Sequence, residues 1–217
     1  MNQDLFLKIS IYFLPGILAI TLHEAAHALA AYRLGDATAY YLGRVSLNPF
    51  KHVDPIGTFA VPLLLMMMRA PFMFGWANPV PVNTRLLKKP KLYSCLIALA
   101  GPAANLLMAI SWALILKSAI LTQAVYSEQF FQWLVSTSKF GVSFNVILLV
   151  FNLLPIPPLD GSKCLSLLLP YPLNTYYENL EPYGFLIIMA LLLSGLLSGV
   201  IFTAQAFFLS IIGSLLF

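Results

Sequence analysis

The sequence is short of charge. Only 9% of its 217 residues are Asp, Glu, Lys or Arg, against 60% hydrophobic, where ordinary soluble domains carry about 25% charged and 45–50% apolar residues. Too few polar side chains remain to cover a water-facing surface, which excludes an ordinary soluble globular domain. Cysteine is scarce as well. Cys95 and Cys164 stand in apolar stretches and read as small buried hydrophobes, so neither a disulfide framework nor a cysteine-rich metal site is indicated. No basic tract interleaved with aromatics is present. The net charge of +4 fits an excess of Lys and Arg on cytoplasmic loops better than a nucleic-acid footprint, and nucleic acid is excluded as a partner.

What the chain has instead is long apolar runs, several of them near the 20 or so residues that cross a bilayer as helix. The runs cover about 5–32, 56–68, 92–116, 140–154 and 183–217. The first follows Lys8 but has no small-residue cleavage site, so it reads as a retained helix rather than a signal peptide. The last carries Gly195, Gly199 and Gly213, which predict a bend or an extension past the bilayer. Between the runs, residues 39–47 alternate roughly in polarity and suit a short strand or hairpin. Pro79 and Pro81 keep 75–83 extended, which near a membrane requires shielding by protein or by a water-filled cavity. The expected fold is an all-α multi-pass membrane protein, with about 4–6 transmembrane or re-entrant helices and short extended or β elements at 39–54 and 75–83. Residues 1–217 read as a single integral-membrane domain.

Arg85, Lys88, Lys89 and Lys91 form the densest basic cluster and place 84–91 in the cytoplasm. Arg33, Arg44 and Lys51 put the end of the first run there too. The run 92–116 then leads outward and 140–154 returns, which brings Asp160 to the side where the first run ends.

Ionisable groups are costly at membrane depth and usually functional, at about 2.5–3.5 kcal/mol each on insertion scales. Of eight carboxylates, Glu24 and Asp160 lie closest to long apolar runs. Of three histidines, two are His23 and His27, four residues apart and therefore on one face of a helix. That is the spacing two zinc ligands need. Glu24, beside the first, suits a general base that takes a proton from zinc-polarised water. A hydrogen-bonded pair of core histidines is the competing explanation, and it leaves Glu24 without a purpose. A catalytic zinc takes three protein ligands and an open position. Asp160, after the helix-breaking Pro155, Pro157 and Pro158, is the best candidate for the third, in competition with a helix-capping role for 162–169.

His23-Glu24-Ala25-Ala26-His27 in a membrane helix, with Leu159-Asp160-Gly161 after a later one, resembles the site-2 protease family. The phrase Asn152-Leu153-Leu154-Pro155 through Leu159-Asp160-Gly161 is similar to the family's Asn-x-x-Pro-x-x-x-Leu-Asp-Gly signature. Residues 48–57, 75–83 and 100–105 resemble phrases of its compact bacterial members, the type without PDZ or CBS domains. The resemblance implies one Zn²⁺ per chain held by His23, His27 and Asp160, Glu24 as base, and hydrolysis of peptide bonds within the membrane. Asn152 and Asn105 are candidates for holding an extended substrate or its oxyanion, against interhelical hydrogen bonding. His52 reads as a surface histidine rather than a residue of the cytoplasmic mouth. Met66, Met67 and Met68 read as lipid-facing packing, and 75–83 as a strand edge for substrate or a shielding loop.

The expected activity is that of an intramembrane zinc metalloprotease in the cell membrane, its site near the cytoplasmic side. Its expected partners are a transmembrane-segment protein or peptide and the lipid bilayer, and self-association is compatible. A metal or ion transporter and an inactive scaffold that binds membrane segments are the alternatives.

Overall fold

In the computed structural model, which describes residues 2–68 and 75–216, the chain is helical throughout its regular parts. The elements are α1 (Asn2–Arg33), α2 (Thr38–Tyr41), α3 (Val61–Met67), α4 (Pro90–Leu121), α5 (Glu128–Asn152), α6 (Asp160–Leu168), α7 (Leu173–Glu178), α8 (Gly184–Leu193) and α9 (Leu196–Leu216). Among the described residues, four helices are long and apolar enough to cross a membrane: 9–33, 90–121, 128–152 and 196–214. This is the multi-pass helical membrane protein that the composition demanded.

α1, α4 and α5 pack on one another, with α6 against α4 and α9 against α5. Their facing surfaces are lined by small residues, with Ala19, Ala28 and Ala31 on α1 and Ala109 and Ala113 on α4 all buried. Small side chains let helix backbones approach closely where lipid offers no hydrophobic drive. Trp112 of α4 lies flat over Gly141 of α5, where an added Cβ would stand 2.5 Å from its ring.

Side-chain pairings fix the helix directions. Tyr12 meets Phe140 and Gly16 lies against Phe144, so α1 and α5 run the same way. Residues 105 and 112 of α4 meet 145 and 141 of α5, so α4 runs opposite. The C-terminal end of α1, the N-terminal end of α4 and the C-terminal end of α5 therefore share one side of the bundle. A cluster of Ala31, Leu87 and Ile97 closes that side.

Several expectations change. No strand forms among the described residues of 39–54. The hydroxyl-rich start folds as α2, because the Asp36 carboxylate accepts the Thr38 amide at 2.9 Å and starts a helical turn. Residues 49–51 form a 3₁₀ turn whose Phe50 amide donates to Asn48 Oδ1. Residues 75–83 form no strand, and the Trp76 amide donates to Gly57 O at 3.2 Å and the Asn78 amide to His52 O at 2.8 Å. The run expected from 140 starts twelve residues earlier, at Glu128, and its polar Thr137 and Ser138 are buried in the bundle. The final run bends as its glycines predict: Gly195, with a φ of 78°, ends α8 and turns the chain into α9. Cys95 and Cys164 are joined as a disulfide, with Cα atoms 4.7 Å apart. Their separation of 69 residues hid a proximity that only the packing of α6 on α4 creates.

Asp36 ties α1 to the extended segment. It is fully buried, and besides Thr38 its carboxylate accepts the Asn83 amide at 2.6 Å. Burial pushes its carboxyl up, but the bonds from Thr38 and Asn83 outweigh that and hold it below its ordinary 3.8. A carboxylate held low stabilises the fold above its unfolded value and loses that contribution as pH falls through the folded one. Asp36→Ala is expected to cost about 1–3 kcal/mol at pH 7 by orphaning two amides. Thermal unfolding should show its Tm deficit shrinking as the pH is taken below 3.8.

Candidate metal centre

His23 and His27 lie late in α1 and are buried. Their rings meet edge to face at 4.6 Å, as the one-turn spacing predicts. α4 crosses them with a stripe of residues at four-residue spacing, Ile97, Gly101 and Asn105. The His27 Nδ1–H donates to Ile97 O at 2.7 Å, and the His23 Nδ1–H donates to Asn105 Oδ1 at 2.6 Å. Gly101 sits between, so close that a Cβ there would stand 2.4 Å from His27 Nε2.

With both Nδ1 atoms donating, each Nε2 carries a lone pair. The two Nε2 atoms are 3.0 Å apart, and each stands 3.3 Å from Asp160 Oδ2. That oxygen is buried without a hydrogen-bond partner. Three electron-rich atoms then face one another, an arrangement that repels itself unless a cation, a metal ion or a proton, lies among them. Bond lengths of about 2.0–2.1 Å at tetrahedral angles set zinc ligands roughly 3.3 Å apart. The donor set and its spacing fit Zn²⁺. Among the described residues this is the one group of three His, Cys, Asp or Glu side chains able to share an ion.

Asp160 arrives by a tight turn. α6 starts against the end of α5, where a Cβ on Gly161 would stand 2.2 Å from Leu153 O. Only glycine lets the two backbones meet there. The helix-capping role is not the one Asp160 plays: Leu159 occupies the N-cap and no side chain caps α6. Glu24 is half-buried on α1, one residue beyond His23.

The other candidates are not among the three converging side chains. Asn105 is fully buried. Its Nδ2 donates to Asn145 Oδ1 at 3.0 Å and to Ala19 O at 3.4 Å, so its amide is engaged inside the bundle. Asn152, half-buried, donates to Leu148 O of its own helix at 3.0 Å. His52 is not at a surface: it is fully buried and its Nε2 hydrogen-bonds Ser46 O at 2.8 Å, pinning the 44–58 loop. Met67 and Met68 are exposed on the outside of the bundle. Asn145, Gly101 and Ile97 escaped the sequence reading. A lone amide in an apolar run was the available signal for Asn145.

The sequence model described as Peptidase family M50 matches residues 12–195. YwhC of Bacillus subtilis (strain 168), provisionally named a zinc metalloprotease, is 38% identical over 183 residues, which are 83% of this chain and 78% of that protein. Rip2 of Mycolicibacterium smegmatis, provisionally named likewise, is 30% identical over 82% of this chain, and the match spans 64% of its own length. For Rip2 of Mycobacterium tuberculosis (strain ATCC 25618 / H37Rv) the figures are 30%, 69% and 54%, so this chain spans a little over half of that relative. No solved structure matches the chain significantly.

Proposed function

The chain belongs to peptidase family M50, and on that premise we propose how its residues carry out the reaction. It is a zinc metalloprotease of the site-2 type, embedded in a membrane by several helices. Its proposed substrates are transmembrane segments of proteins, or membrane peptides left from them, cut in or near the bilayer. His23, His27 and Asp160 hold the zinc and Glu24 is the general base. The observation that carries this reading is the convergence of three bare acceptor atoms at 3.0–3.3 Å.

Zinc, when bound, supplies a Lewis acid for the scissile carbonyl and a water whose pKa falls from 15.7 to about 7. The chain's own residues do the rest. Glu24 accepts a proton from the attacking water and returns it to the leaving amine as the C–N bond breaks, so one water yields one carboxylic acid and one amine. The two imidazoles stay fixed, because Ile97 O and Asn105 lock the rings. A substrate helix must unwind locally, since its amides are shielded by its own backbone hydrogen bonds.

Residues 1–217 act in this reading as one integral-membrane protease domain, with the site reached from the cytoplasmic side. At about 1.5 Å per residue, His23 lies roughly 15 Å along α1 from Arg33, and Gly101 roughly 16 Å along α4 from Pro90. Water therefore needs a polar route of about half the hydrocarbon thickness, about 30 Å in all. A transporter would need further intramembrane acids along a path, and membership of a peptidase family sets both transporter and inactive scaffold aside.

The test is incubation of the detergent-purified protein with a single-span membrane peptide. Chelator treatment is expected to abolish cleavage, and added Zn²⁺ to restore it. Full activity after zinc has been removed to background would overturn the reading.

A further inference from the structure

His23 must present a bare Nε2 to the metal, yet nothing in an imidazole itself dictates which nitrogen carries the hydrogen. For His27 the answer is immediate, because its Nδ1 faces the backbone carbonyl of Ile97, which can only accept. For His23 the neighbour is the carboxamide of Asn105. A carboxamide can accept through Oδ1 or donate through Nδ2, and turning it over would reverse the hydrogen bond. An Asn105 turned to donate would place a hydrogen against Nδ1, move the imidazole hydrogen to Nε2 and block the metal.

What prevents the turn lies two helices away. Asn145 of α5 donates its Nδ2 to Gly141 O at 2.8 Å, and a backbone carbonyl cannot donate in return. Asn145 must therefore point Oδ1 at Asn105, at 3.0 Å. Asn105 must answer with Nδ2, which also leans toward Ala19 O at 3.4 Å, a second group that can only accept. Its Oδ1 is left for His23, at 2.6 Å. The direction of every bond in the series is fixed by carbonyls at its far end. All members are buried, with Asn105 and Asn145 fully so, so no water is at hand to relax the rule.

We propose that Asn105 and Asn145 are positioning residues, a pair of amides that carries the polarity of the Gly141 carbonyl across α5 and α4 and so holds His23 as the Nδ1–H tautomer with Nε2 free for zinc. This rests on His23 being a zinc ligand. It assigns both asparagines to the metal's outer support and not to substrate. Such supports typically contribute 10–100-fold in metal affinity.

The experiment measures Zn²⁺ affinity of the full-length, detergent-purified protein by competition with a chromophoric chelator, together with Tm of the metal-free form. Asn105→Leu keeps the volume but has no acceptor. It is expected to weaken zinc binding roughly 10–100-fold while leaving the metal-free Tm unchanged or higher. Asn105→Asp keeps an oxygen facing His23 and, protonated on its other oxygen, can still donate to Asn145 Oδ1, so it is expected to bind zinc more tightly than Asn105→Leu. Asn145→Leu removes the constraint on Asn105 without touching His23, and its affinity should fall between wild type and Asn105→Leu. Wild-type affinity in Asn105→Leu, or an Asn105→Asp as weak as Asn105→Leu, overturns the proposal. Wild-type affinity in Asn145→Leu overturns the second link. Should Asn105→Leu not fold, Asn145→Leu and Asn105→Asp decide by the same criteria. His23→Ala separates the two levels of argument: stoichiometric zinc at wild-type affinity in that variant would sink the ligand assignment itself, whereas its loss beside unaffected asparagine variants sinks only the tautomer proposal.

Discussion

Purified Glu24→Gln protein is expected to bind zinc at the wild-type ratio and to cleave a membrane-segment peptide roughly 10²–10⁴-fold more slowly, the range a positioned general base supplies. That is about 3–5 kcal/mol of barrier, at 1.36 kcal/mol per factor of ten. The amide has the shape of the carboxylate but cannot take the proton from water. Zinc should stay because Glu24 is not in the group of atoms that converge: His23, His27 and Asp160 are, and Glu24 follows His23 by one position, about 100° around the helix. Metal analysis and a cleavage assay on the same sample separate the possibilities. A wild-type rate at wild-type zinc content would remove Glu24 from the chemistry. Loss of zinc would make it a metal-holding residue instead of a base.

The parts of the site that could be read from sequence are those whose geometry is local. His23 and His27 meet because four residues make one helical turn, and that holds wherever the helix is placed. Asp160 was reachable by arithmetic, since a catalytic zinc short of one ligand needs an acid and few acids lie near apolar runs. Asn105 was noticed as an unusual amide, but its use was not legible. Its partners are 82 residues away on α1 and 40 residues away on α5, and an amide in a membrane helix bonds whatever the packing brings to it. The cysteines failed for the same reason, since the contact of α6 with α4 is a tertiary fact. The start of α5 was missed because Gln132, Ser136, Thr137, Ser138 and Lys139 interrupt the apolar run, although Thr137 and Ser138 are buried in the bundle. The short strand or hairpin expected at 39–47 was lost to Asp36, whose carboxylate accepts the Thr38 amide and favours a helical turn over an alternation with no neighbouring strand to pair with.

Gly101 offers no ligand, and its replacement by alanine is expected to remove the metal. The added Cβ would stand 2.4 Å from His27 Nε2 and 2.6 Å from His23 Cε1, far inside van der Waals contact. A clash with the end of a free side chain would be relieved by rotating it away. Here neither ring is free: His27 is held through Nδ1 by Ile97 O at 2.7 Å and His23 by Asn105 at 2.6 Å, both from the helix that carries the new methyl. The helix itself cannot retreat easily, because Trp112 and Ala113 lock the same α4 into the core with Val142 and Val146. The rings must therefore give up their shared focus with Asp160, and ligand atoms displaced by more than a few tenths of an ångström no longer meet at one tetrahedral ion. The loss should exceed the roughly 100-fold that removal of an outer support causes, leaving purified Gly101→Ala nearly free of zinc and inactive. Far-ultraviolet circular dichroism should remain that of the wild type, since alanine favours a helix interior over glycine. Stoichiometric zinc in Gly101→Ala would mean that α4 does not press on the two histidines, and the close three-helix contact on which the site is built would then be wrong.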